Sequence, residues 1–463
     1  MKFTRKGYGQ LRRADDTVVS QHTVPEEAYE RASAEPPGVY TWYPPRIEIE
    51  VPAASVPAPV PAPAPVPTPV PAPVPAPAPA PTPVPAPAPV PAPVPAPAPV
   101  PAPAPVGTLV QRSNLVYRGA FRLPDTSSSY DVDSAAYCGE GLAFAGDSLF
   151  VSGHEYHFKV GEITIPSPVI ATSVGGLPRA SWAQPLTSVD KGFTSNLGDT
   201  AIANSKRSGG LMVLDGELWV NFYCFYDGSG QQRYSLTKGP RDLSQARSGV
   251  FRFAYTNTPA VSAAGATNRY LGKVPVELRA AFGGPVFAGG STGFSSIASV
   301  QSNGPSFNVW QPDSLSGTAH KSNVTAQQML AYPVNEPLRP PSQQSDVWNF
   351  TSSPAGAVIP SGTKSVLFIG SHGIGAYSYP PEAPPYRQFV WAYMADELIA
   401  AKVGGQQRVQ PYGVWDITDL FSVGSVGKWT IRGVDIDHAA NRIYVYCRGQ
   451  DGVHPLVHVF DVR

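Results

Sequence analysis

Residues 57 to 105 read "PAPVPAPAPVPTPVPAPVPAPAPAPTPVPAPAPVPAPVPAPAPVPAPAP", with proline at every odd position and only Ala, Val or Thr between. Proline fixes its own φ near −65° and pushes the preceding residue out of the helical region, so strict alternation leaves polyproline II as the accessible state. At ~3.1 Å per residue, about 50 residues reach roughly 150 Å, several times the width of a folded domain. Glycine does not recur at every third place, which excludes a collagen-like triple helix. The segment therefore reads as a stiff, single-stranded spacer. It divides the chain into three regions, 1–50, 51–106 and 107–463.

Charge adds little to this. The 463 residues carry 34 Lys and Arg against 34 Asp and Glu, a balance that points to neither nucleic acid nor a membrane surface. Cys138, Cys224 and Cys447 are far apart and form no CxxC pair, so they read as core thiols rather than a disulfide framework or a zinc site. There is no apolar run long enough to span a bilayer, and the start "MKFTRKGYGQLRR" lacks the apolar stretch of a signal peptide. The expectation is a soluble chain that is not Sec-exported.

Region 1–50 has a basic start, a strand at "TVVSQH", a helical stretch at "TVPEEAYERASAE" and a returning strand at "GVYTWYPPRIEIEV". Thr23 ahead of Pro25, Glu26 and Glu27 is a helix N-terminus signature. So short a unit buries little apolar surface and is expected to complete itself against a partner. Its basic residues Lys2, Arg5, Lys6, Arg12 and Arg13, with no acid among the first thirteen positions, are the expected contacts to that partner.

Region 107–463 is rich in Gly, aromatics and β-branched residues, and it repeats. The segments 141–154, 210–223, 364–372 and 433–448 share an apolar strand, a polar turn and a strand ending in a Val or Ile. Later strands follow at 159–166, 248–255, 411–418 and 456–463, with a fainter copy at 294–313. Units recurring at roughly 65 to 85 residues predict an all-β domain, a β-propeller of about five blades, with a β-sandwich bearing long loops as the alternative. Strand 114–123 and the C-terminal strand are expected to complete one blade together.

The chain lacks a GxSxG elbow, a P-loop, HExxH, an EF-hand loop and CxxC. "HEYH" at 154–157 resembles a metal fragment, but on a strand its two histidines point to opposite faces. Asp147, Asp215, Glu217, Asp396 and Glu397 are loop acids that a glycosidase pair could use, but the first three sit in expected turns between strands, where Asp favours the turn geometry itself. One pattern remains. Three residues past the repeated Val or Ile stand His154, Tyr223, His372 and Arg448, matching positions in four repeats. Converging at one end of a ring, they would suit a carboxylate or a sugar; as isolated side chains they would satisfy strand-end backbone groups instead. No metal or other cofactor is expected.

The run "GKVPVELRAAFGGPVFAGGSTGFSSIASVQSNGPSFNVWQPD", with "GTKSVLFIGSHGIGAYSY", "VWAYMADELIAAKVGGQ", "QPYGVWDIT", "NRIYVY" and a final "VHVFDV", resembles a widespread family of bacteriophage and bacterial proteins with a propeller-like domain, over residues 114–463. The segment "VVSQHTVPEEAYERASAEPPGVYTWYPP" is similar to segments of phage virion proteins. The family has no settled activity, so the resemblance assigns no catalytic residue. Relatives often carry paired cysteines after "GGP", where this chain has "GGSTGFSS". What the resemblance implies is a non-enzymatic virion appendage, a fibre or decoration protein on capsid or tail. It would be folded in the host cytoplasm, released by lysis and joined to other virion proteins through residues 1–50. Its head would bind a host-surface or environmental glycan. A polysaccharide-cleaving tail spike and a bacterial surface adhesin are the alternatives, the latter opposed by the missing export signal.

Overall fold

The computed structural model describes the backbone of 9–13, 18–22, 38–43, 47–51 and 402–404. With side chains it describes 107–124, 133–199, 206–225, 227, 230–256, 263–290, 302–315, 320–333, 336–339, 345–378, 382–401, 409–427 and 430–463. The chain divides into two units, Met1–Pro95 and Ala96–Arg463.

The first unit holds a four-stranded antiparallel sheet made of β1 (Gly9–Arg13), β2 (Val18–His22), β3 (Gly38–Tyr43) and β4 (Ile47–Val51), in the order β2-β1-β3-β4. The end of the basic start, Gly9–Arg13, is thus a strand, which its mixture of Gly and charged residues concealed. Leu11 faces Ser20 on one side and Trp42 on the other, so Arg12 and Arg13 lie on a strand paired along both edges. The expected single strand over 38–51 is two strands. Pro44 and Pro45 fall between them, and proline cannot donate to a ladder. Lys2, Arg5 and Lys6, the helix expected at 23–35 and the spacer 52–106 lie outside the described residues.

The second unit opens with β5 (Leu115–Arg122) and is mostly strand. Four up-and-down strands follow: β6 (Leu142–Phe144), β7 (Ser148–Ser152), β8 (Lys159–Thr164) and β9 (Trp182–Ser188). The same meander recurs in β10 (Lys206–Leu214), β11 (Glu217–Cys224), β12 (Leu236–Pro240) and β13 (Ser248–Tyr255). It recurs again in β14 (Tyr270–Lys273), β15 (Val286–Gly289), β16 (Phe307–Trp310) and β17 (Asn323–Leu330). These two meanders fuse into one eight-stranded sheet through a parallel pairing of their last strands, Arg252 opposite Asn323. Then come β18 (Ser353–Val358), β19 (Ser365–Gly373), β20 (Tyr386–Met394) and β21 (Gly413–Asp416). The last sheet takes β22 (Ile431–Asp437), β23 (Arg442–Asp451) and β24 (His454–Val462), and its fourth strand is β5. The strands expected to pair across the two ends of this region do so, Leu456 opposite Arg122 and Val462 opposite Leu115.

The apolar strands are buried on both faces because sheets stack on sheets. On β11, Leu218, Val220 and Phe222 join Phe150 and Val160 of the preceding sheet, while Trp219 joins Leu271 and Trp310 of the next meander. Phe287 and Phe307 pack on Phe368 and Trp391; Leu367 and Val390 pack on Val434 and Val445; Tyr446 and Val457 pack on Leu149 and Val151. The contacts run in cyclic order, and the last sheet meets the first.

The first strands of the meanders approach closely, and glycine makes room for it. A Cβ on Gly210 of β10 would lie 2.5 Å from Leu271 N of β14. On Gly356 of β18 it would lie 2.8 Å from Val434 Cβ, and on Gly433 of β22 it would lie 2.7 Å from Leu142 N of β6.

Two expectations need correction. The copy placed at 294–313 holds only the third strand of its meander, Phe307–Trp310, among the described residues; the hairpin is β14 and β15, hidden by short strands and the insert "VPVELRAAFGGP". The segment 395–404 is a helix, Ala395–Gly404, and Asp396 and Glu397 form its acidic first turn instead of a loop. Its Leu398 and Ala401 seal the core beside Met329.

Candidate functional site

A charged residue stands at or just before each of three first strands: Glu140 ahead of β6, Arg269 ahead of β14 and Arg432 in β22. Glu140, Arg269 and Arg432 stand two positions before Leu142, Leu271 and Val434, which pair with the second-strand residues Val151, Ala288 and Val445. All three are buried, at 3%, 7% and 4% exposure. Arg269 grips Glu140 with both arms of its guanidinium, Nε donating to Oε2 at 3.1 Å and Nη2 to Oε1. Arg432 donates to Glu140 at 3.4 Å from Nη1 and to Glu155 at 3.1 Å from Nη2. Charges buried this deeply persist only when paired and hydrogen-bonded.

Arg448 and Arg207 join the cluster from two further strands. Arg448 of β23 donates to both oxygens of Glu155, at 3.0 and 3.4 Å. Arg207 of β10, facing Tyr223 across the β10–β11 ladder, reaches Glu155 at 4.0 Å. One carboxylate thus serves three arginines. Burial pushes the Glu155 carboxyl up, but the Arg432 and Arg448 guanidiniums outweigh that effect and hold it below the usual carboxylate range. Tyr223 lies under Arg269, whose guanidinium carbon is 4.8 Å from the ring centroid. Burial raises the Tyr223 hydroxyl well above its ordinary value.

The rim is aromatic. Arg207 lies 4.1 Å from the ring centroid of Tyr156 and 5.3 Å from that of Phe225, and both rings reach solvent, at 52% and 36% exposure. Tyr137 stands 5.6 Å from Arg448.

The structure brings three of the four expected ring residues to this cluster. Tyr223 and Arg448 belong to it directly, and His154 precedes Glu155 in the same turn. Burial lowers the pKa of His154, as does neighbouring His157, against the opposing pull of Glu155. His372 does not join them. It is 1% exposed, with Nδ1 at 2.8 Å from Ser352 Oγ, just ahead of β18, and its ring against Phe389 and Trp391 of its own sheet. Desolvation lowers its pKa to about 4, so it is a neutral core histidine satisfied at a strand end.

The geometry assigned to "HEYH" also needs correction. Residues 155–158 form a turn, so the His154 and His157 rings are neighbours, 4.8 Å apart, rather than on opposite faces. Among the described residues no group of three His, Cys, Asp or Glu could hold a metal ion. Glu217 pairs with Lys238 at 3.0 Å and Asp396 with Lys364 at 2.7 Å, and Asp215 occupies a left-handed turn position at φ 48°. The three cysteines are buried and free; burial pushes the Cys138 thiol up to about 11.

Sequence reasoning missed Glu140, Arg269, Arg432, Arg207 and Glu155. The signal was an alignment of first strands, "GEGLAF", "NRYLGK" and "IRGVDI", in which the charged residue falls just before the apolar repeat.

No family model matches the chain, and no curated protein does. Solved structures similar to it include a luciferin-regenerating enzyme, with TM-score 0.31, 8% identity and coverage of 77% of this chain and 95% of that one. A glycosyl hydrolase from Bacteroides ovatus gives TM-score 0.35, 10% identity and coverage of 77% and 94%. The Trypanosoma rangeli sialidase gives TM-score 0.33, 12% identity and coverage of 77% and 55%. Likeness at this level assigns no activity to the chain.

Proposed function

We propose that the chain is a bacteriophage virion appendage. Residues 1–50 attach it to capsid, neck or tail proteins, residues 51–106 form a stiff rod, and residues 107–463 form a five-bladed β-propeller that meets a host or environmental surface without catalysing a reaction. The blade count is supported by the cyclic order of the sheets and by the pairing of β5 with β24, which would close the ring with a strand from each end of the head. The single observation that carries the function is the alternating-proline sequence between a small unit and a large all-β one: a segment that would extend to roughly 150 Å would hold the large one away from whatever the small one is fixed to. Glu140 and Glu155 support binding over catalysis. Both are committed to arginines, and Glu155 is held ionised, whereas a glycosidase needs a carboxyl raised enough to donate a proton.

The test is incorporation. A chain lacking residues 1–50 is expected to fold and stay off purified particles. Reversing the charge of Lys2, Arg5, Lys6, Arg12 and Arg13 should weaken incorporation in a salt-sensitive way, because exposed charge pairs are screened by salt. Mass spectrometry of virions that finds the truncated chain at full copy number overturns the attachment role. New reducing ends in host polysaccharide incubated with the protein would overturn the non-enzymatic one.

A further inference from the structure

We propose that Arg207 and Arg448, with the rims of Tyr156 and Phe225, form a binding site for a carboxylate-bearing sugar, and that Glu155 occupies it as an internal stand-in until the ligand displaces it. The inference rests on the reading of the head as the binding end of the appendage.

The two arginines reach the same carboxylate from different sheets. Arg448 holds it at 3.0 and 3.4 Å and Arg207 only at 4.0 Å, so Arg207 makes no hydrogen bond to it. The hydrogen bond from the Arg207 side chain among the described residues goes to the carbonyl of its own neighbour, Lys206, at 2.9 Å. Most of the guanidinium's donors therefore make no hydrogen bond among the described residues, on a side chain 11% exposed. A planar fork of this kind suits a planar, two-oxygen anion.

Glu155 is the movable member. It belongs to the turn between β7 and β8, whereas Arg207 and Arg448 are on or beside sheet ladders. Its withdrawal leaves the Arg269 and Glu140 pair below intact, since their hydrogen bonds do not involve it. The rim supplies the second half of the recognition. Tyr156 is exposed and lies face-on to Arg207, and Phe225 lies 5.3 Å from the same guanidinium, so a ring with one apolar face could stack where its carboxylate meets the guanidinium.

The experiment is calorimetric titration of the full chain with glucuronic acid and with N-acetylneuraminic acid, against glucose and inorganic phosphate as controls. At least one acidic sugar is expected to bind while glucose does not. Arg448→Met and Arg207→Met should each weaken binding about tenfold to a hundredfold, the range of a lost charged hydrogen bond. Glu155→Gln should strengthen it by removing the competing carboxylate. Tyr156→Ala, at an exposed position that does not threaten folding, should weaken it. Absence of binding by both sugars, phosphate binding as tight as the sugars, or a Glu155→Gln variant that binds more weakly would each overturn the site. Failure here leaves the virion reading standing, since particle incorporation is measured separately.

Discussion

Gly210→Ala tests the close approach of the first strands most directly. The added Cβ would lie 2.5 Å from Leu271 N, 2.5 Å from Tyr270 Cα and 2.6 Å from Tyr270 C. These obstacles are backbone atoms of β14, which is itself paired to β15, Leu271 opposite Ala288. Neither strand can yield by a rotamer change, so one of them must shift by most of an ångström. Overpacking a rigid site costs about 1 to 3 kcal/mol, and the backbone obstacle puts this substitution near the upper end, about 3 kcal/mol. Gly175→Ala is the control. Nothing lies within 4 Å of its new Cβ, and alanine there should be neutral or stabilise by up to about 1 kcal/mol through the unfolded chain. Urea unfolding of both variants beside the parent gives the comparison. The midpoint of Gly210→Ala should fall with an unchanged slope, since the surface exposed on unfolding stays the same. A Gly210→Ala variant that unfolds within about 0.5 kcal/mol of the parent, the spread of neutral surface changes, would refute the packing of β10 on β14 and with it the closed order of the sheets.

Replacing residues 57–105 with an equally long Gly/Ser segment should bring the mean separation of its ends from roughly 150 Å to about 40 Å, and small-angle scattering that finds the same maximum dimension for both chains would refute the stiff rod. Acid should destabilise the head through His372 and His458, which burial holds neutral down to about 4 and about 3. The unfolded chain binds protons from an ordinary histidine pKa near 6.5, so stability is full above about pH 6.5 and falls as pH drops from there toward 4, by about 3 kcal/mol for His372. Unfolding free energies measured across that window should flatten in His372→Gln; an unchanged slope would remove His372 from the cause.

How much of this was legible in the sequence follows from what each strand faces. The second strands β7, β11, β19 and β23 are sandwiched between sheets, so both faces are apolar and their Val or Ile repeats in register; that repeat gave the position that leads to Tyr223 and Arg448. First strands are less legible because crowding replaces side chains with glycine. Gly210, Gly356 and Gly433 each fill the place where a neighbour's backbone or Cβ comes within 3 Å, and β18 also carries Pro354 at a register shift, so "SPAGAV" does not read as a strand. The same crowding hid the charged cluster. Glu140, Arg269 and Arg432 stand two positions before a paired apolar residue, but the second meander shifts register between Ser208 and Leu211, the last one shifts at Arg432 itself, and the fourth has Pro354 near the corresponding place. Three charged residues in five repeats are too few to see without the ladder pairings. His372 shows the converse. Its position in the repeat matches the others, yet Ser352 in the chain just before β18 binds its ring and turns it into the sheet. Matching positions therefore fix the end of the sheet at which a side chain lies, while the residues entering the first strand decide whether it faces the cluster or the core.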